Sequence, residues 1–308
     1  MKSSIWYEFR QLFAKGSNLA YKLIAINVLV FLFFNLSKLN FPYLILAISG
    51  SNTAWYYHFM QHLSLPASLS NFFLQPWSLI TYGFLHANFI HLVFNMLGMY
   101  ILGSLLQEYL GNRKLARVYF GSVLAGGIVF LAAYSLLPYF GASRNDTYIV
   151  GASGGVIGVL AASATLIPEY PLYVIFTSIR LKYVFLFYLI IDLLSLTADN
   201  NPGGHLSHLG GALFGFVYIR QLYRVGFIDK PLDFILGLFS KSNIGVKSVP
   251  KRKVVFLAKE KYEKSYSRNS KPRQDEIDEI LDKINQSGYE SLTSEEKATL
   301  YQASRDDD

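Results

Sequence analysis

The chain has 308 residues, of which 52% are hydrophobic and only 16% charged, with a formal net charge of +7 and no cysteine. Soluble chains carry about 25% charged residues, and several apolar runs here approach the roughly 20 residues that cross a bilayer; the composition excludes an ordinary soluble domain and points to a polytopic membrane protein. The missing cysteine excludes disulfides, a thiolate nucleophile and a cysteine metal site, and the basic residues fall in short loops and the tail, as the positive-inside bias predicts, rather than in a nucleic-acid-binding patch.

Residues 1–17 are polar and mildly amphipathic, with Lys2, Arg10 and Lys15, and suit a cytoplasmic surface segment. A first span is expected over about Leu19 to Leu36; no small-residue cleavage site follows it, so it reads as an uncleaved anchor. Residues 37–87 hold a single charged side chain, Lys38, and are interrupted by Pro42, Gly50, Pro66, Pro76 and Gly83. That stretch is too broken to span and too apolar for a free aqueous loop. It is expected as an outer insertion partly sunk in the interface, with Trp55, Tyr56, Tyr57 and Trp77 near headgroup depth.

Further spans are expected over about Phe89–Leu106, Val118–Leu137, Gly151–Ile167, Tyr183–Leu196 and Gly204–Leu222. Arg113, Lys114 and Arg117, then Arg180 and Lys182, then Arg220 and Arg224 mark the inner ends, with Glu108 expected to pair with Arg113 or Arg117. The fold class is therefore all-α integral membrane: a six-helix bundle over 18–224 with both termini cytoplasmic. An amphipathic stretch and basic linker (225–273) and a small helical hairpin (274–308) follow. In the hairpin, Ile277, Ile280, Leu281 and Ile284 keep helical spacing up to Gly288, and Thr293 with Glu296 fits a capping box.

The chemistry concentrates at the starts of alternate spans. Spans two, four and six share a direction, so His91, Ser153 and His208 lie at similar depth on the outer side, with Asn95 one turn below His91 on the same face. All six histidines (His58, His62, His86, His91, His205, His208) fall in the outer half. A histidine within a membrane segment is a functional candidate by default. Ser153 sits in Gly151-Ala152-Ser153-Gly154-Gly155, at a helix start whose N–H groups have no intrahelical partner. A serine there can attack a carbonyl if a base reaches it, and histidine is the usual base. His208 is preferred to His205 because Gly211 and Gly215 follow it, a small-residue seam that lets span six press on Gly154 and Gly158 of span four.

His91-x-x-x-Asn95, Gly151-Ala152-Ser153-Gly154, and His208 followed by Gly211 and Gly215 together resemble the rhomboid intramembrane serine proteases, over about residues 18–224. The resemblance implies a Ser153–His208 dyad without an acidic third member. It also implies an oxyanion site from His91, Asn95 and the Ser153 N–H, and membrane-anchored helical substrates cleaved near the outer face. His86 matches a family histidine in the loop above the site. Ile157 stands where family members often carry an aromatic ring stacked on the histidine. No cofactor and no metal are implied, and the expected partners are transmembrane protein substrates and lipid, not nucleic acid; the tail's partner is not specified. The expected location is a plasma or inner membrane of bacterial type.

Blander assignments stand beside these. His58, His62 and His205 read as interfacial hydrogen-bonding residues, and Asp192 within span five as a satisfied helix–helix hydrogen bond. A metal site from His86, His91, His205 and His208 lacks a carboxylate or thiol and leaves Ser153 unexplained. Two other functions compete: a catalytically silent relative that binds transmembrane helices for trafficking or quality control, and a transporter using histidines and Asp192 as a proton path. The first usually lacks the dyad, and the second predicts internal repeats that the sequence does not have.

Overall fold

The computed structural model describes residues 18–36, 54–174, 177–198, 201–222, 274–293, 296–297 and 299–300. The N-terminal segment 1–17, the first part of the outer insertion (37–53) and the juxtamembrane stretch with its basic linker (225–273) lie outside the described residues, as do the side chains of Trp55, Tyr56 and Tyr57. The chain divides into two compact units, Met1–Arg252 and Lys253–Asp308.

The first unit is mostly helical. Among the described residues its α-helices are α1 (Leu19–Leu36), α2 (Ala54–Leu63), α3 (Leu69–Leu74), α4 (Ser78–Thr81), α5 (Phe89–Leu110), α6 (Asn112–Leu136), α7 (Ser153–Leu166), α8 (Leu181–Ala198) and α9 (Pro202–Gln221). Helices α5 and α6 are each long and apolar enough to cross a membrane, and shorter apolar stretches lie in α1 and α7. Large apolar side chains such as Phe89 and Phe94 on α5 and Phe187 and Leu194 on α8 point outward and stay exposed. So much uncovered apolar surface suits hydrocarbon and not water.

Helix α6 starts earlier than the sequence indicates. Gly111, at φ +81°, turns the chain between α5 and α6. Arg113, Lys114 and Arg117 consequently lie within the first turns of α6 instead of in a connecting loop. At its other end, Arg144 donates from Nε to the Tyr134 carbonyl at 2.6 Å and from Nη2 to the Ser135 carbonyl at 3.3 Å. A cation there complements the helix dipole and satisfies carbonyls that the helix leaves open.

Two short β pairings were not expected from an all-helical pattern. Strand β1 (Leu65–Pro66) pairs antiparallel with β2 (Tyr148–Ile149), with Leu65 opposite Ile149. Strands β3 (Pro171–Val174) and β4 (Thr177–Arg180) pair antiparallel between α7 and α8. The first pairing ties the outer insertion to the loop that enters α7. The described part of that insertion, from residue 54, is folded: the Trp77 indole donates to the His62 carbonyl at 2.9 Å and Thr81 Oγ1 to the Leu63 carbonyl at 2.7 Å.

Helix α7 occupies the centre. Every residue from Gly154 to Ala164 is buried, so the helix has no polar face. Its glycines let α6 and α9 approach its backbone. A Cβ on Gly211 would overlap the Gly154 carbonyl oxygen, and one on Gly215 the Gly158 carbonyl oxygen. On the far side of α9, a Cβ on Gly210 would come within 2.8 Å of the Ala125 carbonyl oxygen on α6.

In the second unit, α10 (Gln274–Ser287) ends at Gly288, which takes a positive φ of +78° and whose N–H donates to the Ile284 carbonyl at 2.8 Å. The expected capping box is formed: the Thr293 N–H donates to Glu296 Oε2 at 2.7 Å and the Glu296 N–H to Thr293 Oγ1 at 3.2 Å. Residues 296–297 and 299–300 are helical. Ile280 and Leu292 are buried in this unit.

Gly211→Val should destabilise the detergent-solubilised protein by about 3 kcal/mol, because it overpacks a backbone-to-backbone contact. Gly111→Ala meets nothing within 4 Å and carries only backbone strain, about 1 kcal/mol; thermal unfolding of both variants checks the order. In the tail, the Lys283 ammonium, and after it the Thr293 backbone, hold the Glu296 carboxyl below the ordinary carboxylate range. A depressed folded pKa means that this contribution is present above the ordinary carboxylate pKa and is lost as pH falls through the depressed value. Lys283→Ala should raise the Glu296 titration midpoint, followed by carboxyl-carbon NMR.

Candidate active site

The entry to α7 is shaped by one glycine. Gly151 adopts φ +142°, a region that side-chain-bearing residues avoid, and its N–H donates to the Tyr82 carbonyl at 2.9 Å. A Cβ there would also lie 2.8 Å from His91 Cε1 and 3.2 Å from Ser153 Oγ. The His91 ring and the Ser153 hydroxyl thus crowd the same side of this glycine. Ala152, fully buried, caps α7, and Ser153 is its first residue.

Tyr82 is held in turn by its hydroxyl, which donates to the Val123 carbonyl at 2.6 Å and lies 3.3 Å from Ser207 Oγ. Ser207 is buried one position before His208, and a Cβ on Gly154 would lie 2.8 Å from its Oγ. The close contact of α7 with α9 leaves Ser153 Oγ 2.7 Å from His208 Nε2. A hydroxyl and an imidazole nitrogen at this separation can exchange a proton.

On α5, the Asn88 side chain caps the helix by accepting from the His91 N–H at 2.8 Å. Asn95 is buried and donates from Nδ2 to the His91 carbonyl at 2.8 Å. An amide carries two such hydrogens, so one is committed to the helix. His86 is buried with its ring edge-on to His91, centroids 5.2 Å apart. His58 and His62 pack on each other within α2, centroids 4.0 Å apart. Ile157, one turn below Ser153, is buried.

One feature departs from the sequence-derived picture. Asp192 on α8 is buried and does bond across to α9, but it does so through the histidines themselves. Its Oδ1 lies 2.9 Å from His208 Nδ1 and 2.7 Å from His205 Nδ1. The Ser153–His208 pair therefore does have an acidic neighbour, and the absence of a third acidic member is corrected. A carboxylate also joins two of the histidines considered for a metal: ligand atoms of Asp192, His205 and His208 lie within 4.8 Å of one another and could hold an ion. The mutual hydrogen bonds use the same atoms without one. An acid inside an apolar run was the signal available in the sequence; its partner depended on how α8 is rotated against α9.

Residues 74–225 match the Rhomboid domain, and residues 261–306 match a family of unknown function (DUF6576). The chain is similar to RHOMBOID-like protein 12, mitochondrial, of Arabidopsis thaliana, with 26% identity over 44% of this chain and 43% of that protein. It is similar to Rhomboid-like protease 1 of Toxoplasma gondii, with 29% identity over 51% and 50%. It is also similar to the mouse presenilin-associated rhomboid-like protein, mitochondrial, with 31% identity over 44% and 35%. The matched stretch covers half or less of the length of each of these relatives. Several relatives are mitochondrial, so they give no support to the expected bacterial membrane. With a rhomboid domain matched across α5 to α9 and rhomboid-like relatives on every side, this chain belongs to the rhomboid family.

Proposed function

We propose that this protein is an intramembrane serine endopeptidase that cleaves transmembrane protein substrates near the outer face of the membrane. The observation that carries this reading is the 2.7 Å approach of Ser153 Oγ to His208 Nε2 at the first turn of α7. Ser153 attacks the scissile carbonyl while His208 takes its proton. The oxyanion that forms is met by the Ser153 N–H, unpaired at the helix start, and by His91 and Asn95 from α5. Asn95 has the second hydrogen of its amide for this. His208 then gives the proton to the departing amine, and water, activated by the same imidazole, releases the acyl group. No cofactor takes part.

In this proposal α1 and α5 to α9 form six spans with both termini on the cytoplasmic side. Helix α7 has 14 residues and so rises about 21 Å, against about 30 Å of hydrocarbon. With its C-terminal end at the inner boundary, Ser153 lies below the outer surface, at a depth reached by the upper part of a substrate helix. The first three residues of α8 include Lys182, and α9 carries Arg220 in its last turn, which suits an inner side.

Topology can be read cleanly because the chain has no cysteine. A cysteine replacing Asp146 should react with an impermeant maleimide on intact cells or organelles lacking an outer barrier, and one replacing Ser178 only after permeabilisation. The reverse pattern would overturn the orientation. For the chemistry, a fluorophosphonate probe should label the purified wild-type protein and neither Ser153→Ala nor His208→Ala. Asn95→Ala should lower kcat for a transmembrane substrate about 100-fold with little change in KM, as expected for an oxyanion donor. A folded wild type that binds substrate helices but neither labels nor cleaves would instead make it a catalytically silent helix-binding protein.

A further inference from the structure

We infer that Asp192 is a positioning residue for His208: it fixes the imidazole in the tautomer whose Nε2 lone pair faces Ser153, making a three-membered relay out of an expected pair. This rests on the protease reading for its consequence in catalysis, though not for the tautomer itself.

The geometry is specific. One carboxylate oxygen, Asp192 Oδ1, faces Nδ1 of His208 at 2.9 Å, and the opposite ring nitrogen, Nε2, faces Ser153 Oγ at 2.7 Å. A neutral imidazole has one N–H and one lone pair. A carboxylate can only accept, so it selects the form with the hydrogen on Nδ1 and the lone pair on Nε2. The other tautomer would aim a lone pair at the carboxylate and an N–H at the serine, leaving the hydroxyl without an acceptor for its proton. When His208 takes that proton it becomes an imidazolium, and the same carboxylate is already in place to face the new charge.

The setting strengthens the selection. Asp192 belongs to α8, whose outward side is lined by apolar groups such as Phe187 and Leu194. An acid buried in so apolar a helix is costly unless donors meet it. His205, one turn before His208 on α9, supplies a second donor from its own Nδ1 at 2.7 Å to the same oxygen. The two rings stand edge-on with centroids 5.8 Å apart, so both reach the carboxylate without stacking on each other.

The test uses the full chain in detergent, wild type beside Asp192→Asn, which keeps the shape of the side chain and removes its charge. Nitrogen-15 NMR of histidine-labelled protein, with His208 assigned by its loss in His208→Ala, should show the Nδ1–H tautomer in the wild type. Asp192→Asn should show a mixture or the Nε2–H form. Fluorophosphonate labelling and substrate turnover should fall at least 100-fold in Asp192→Asn, through kcat and with KM within about twofold, while the unfolding temperature stays within a few degrees. His208 remaining in the Nδ1–H form in Asp192→Asn, or labelling within about threefold of wild type, would overturn the inference. A wild type that shows the tautomer and loses it in Asp192→Asn, yet never labels, would support the positioning and defeat the protease reading instead.

Discussion

The close contact of α7 with α9 is the constraint on which everything else depends. Glycines 154 and 158 on one helix meet glycines 211 and 215 on the other so tightly that a methyl group at either of the latter would overlap a carbonyl oxygen. In a bilayer no hydrophobic driving force pushes helices together, since lipid chains are as apolar as the helices themselves. Association rests on van der Waals contact between backbones, and only glycine gives access to it. The same approach carries Ser153 and His208 into hydrogen-bond range. Packing and site geometry are therefore one feature, and a variant that loosens the seam separates the pair as well.

Around this axis a set of hydrogen bonds holds the loop that enters α7. Tyr82 anchors the entry loop twice, through its carbonyl to Gly151 and through its hydroxyl to Val123 on α6. The strand pair between Leu65–Pro66 and Tyr148–Ile149 holds the outer insertion to the same loop. Asn88 and Asn95 each serve the backbone at His91, one at its N–H and one at its carbonyl. The His91 backbone is thus held on both sides, and its ring lies beside Gly151.

The acid on α8 joins the third helix to this arrangement. Without Asp192, the outward apolar helix would meet α9 mainly through side-chain packing; with it, α8 is tied to both histidines of α9. A charge held in such a place is retained at a cost in solvation, and its position against the imidazole is the physical reason to connect it with function. The tail is a separate matter. Its capping box, its glycine stop and the Lys283–Glu296 pair build a small helical unit with its own local logic.

Much was determined by the sequence alone. Apolar run length marked the long helices to within a few residues for α1, α7, α8 and α9, because the hydrocarbon thickness and the helical rise leave little choice. Motif spacing singled out Ser153 and His208, which the fold brings within hydrogen-bond range, because glycine neighbours and helix starts restrict where such groups can be used. Gly288 and the Thr293–Glu296 pair were legible because caps are local chemistry. Tertiary structure decided what depends on rotation between helices. The partner of Asp192 was invisible because nothing in a linear pattern sets the phase of α8 against α9. The early start of α6 was hidden because it turns on one positive φ at Gly111. The β pairings escaped too, since two-residue strands carry no periodicity and form only when distant loops are brought together.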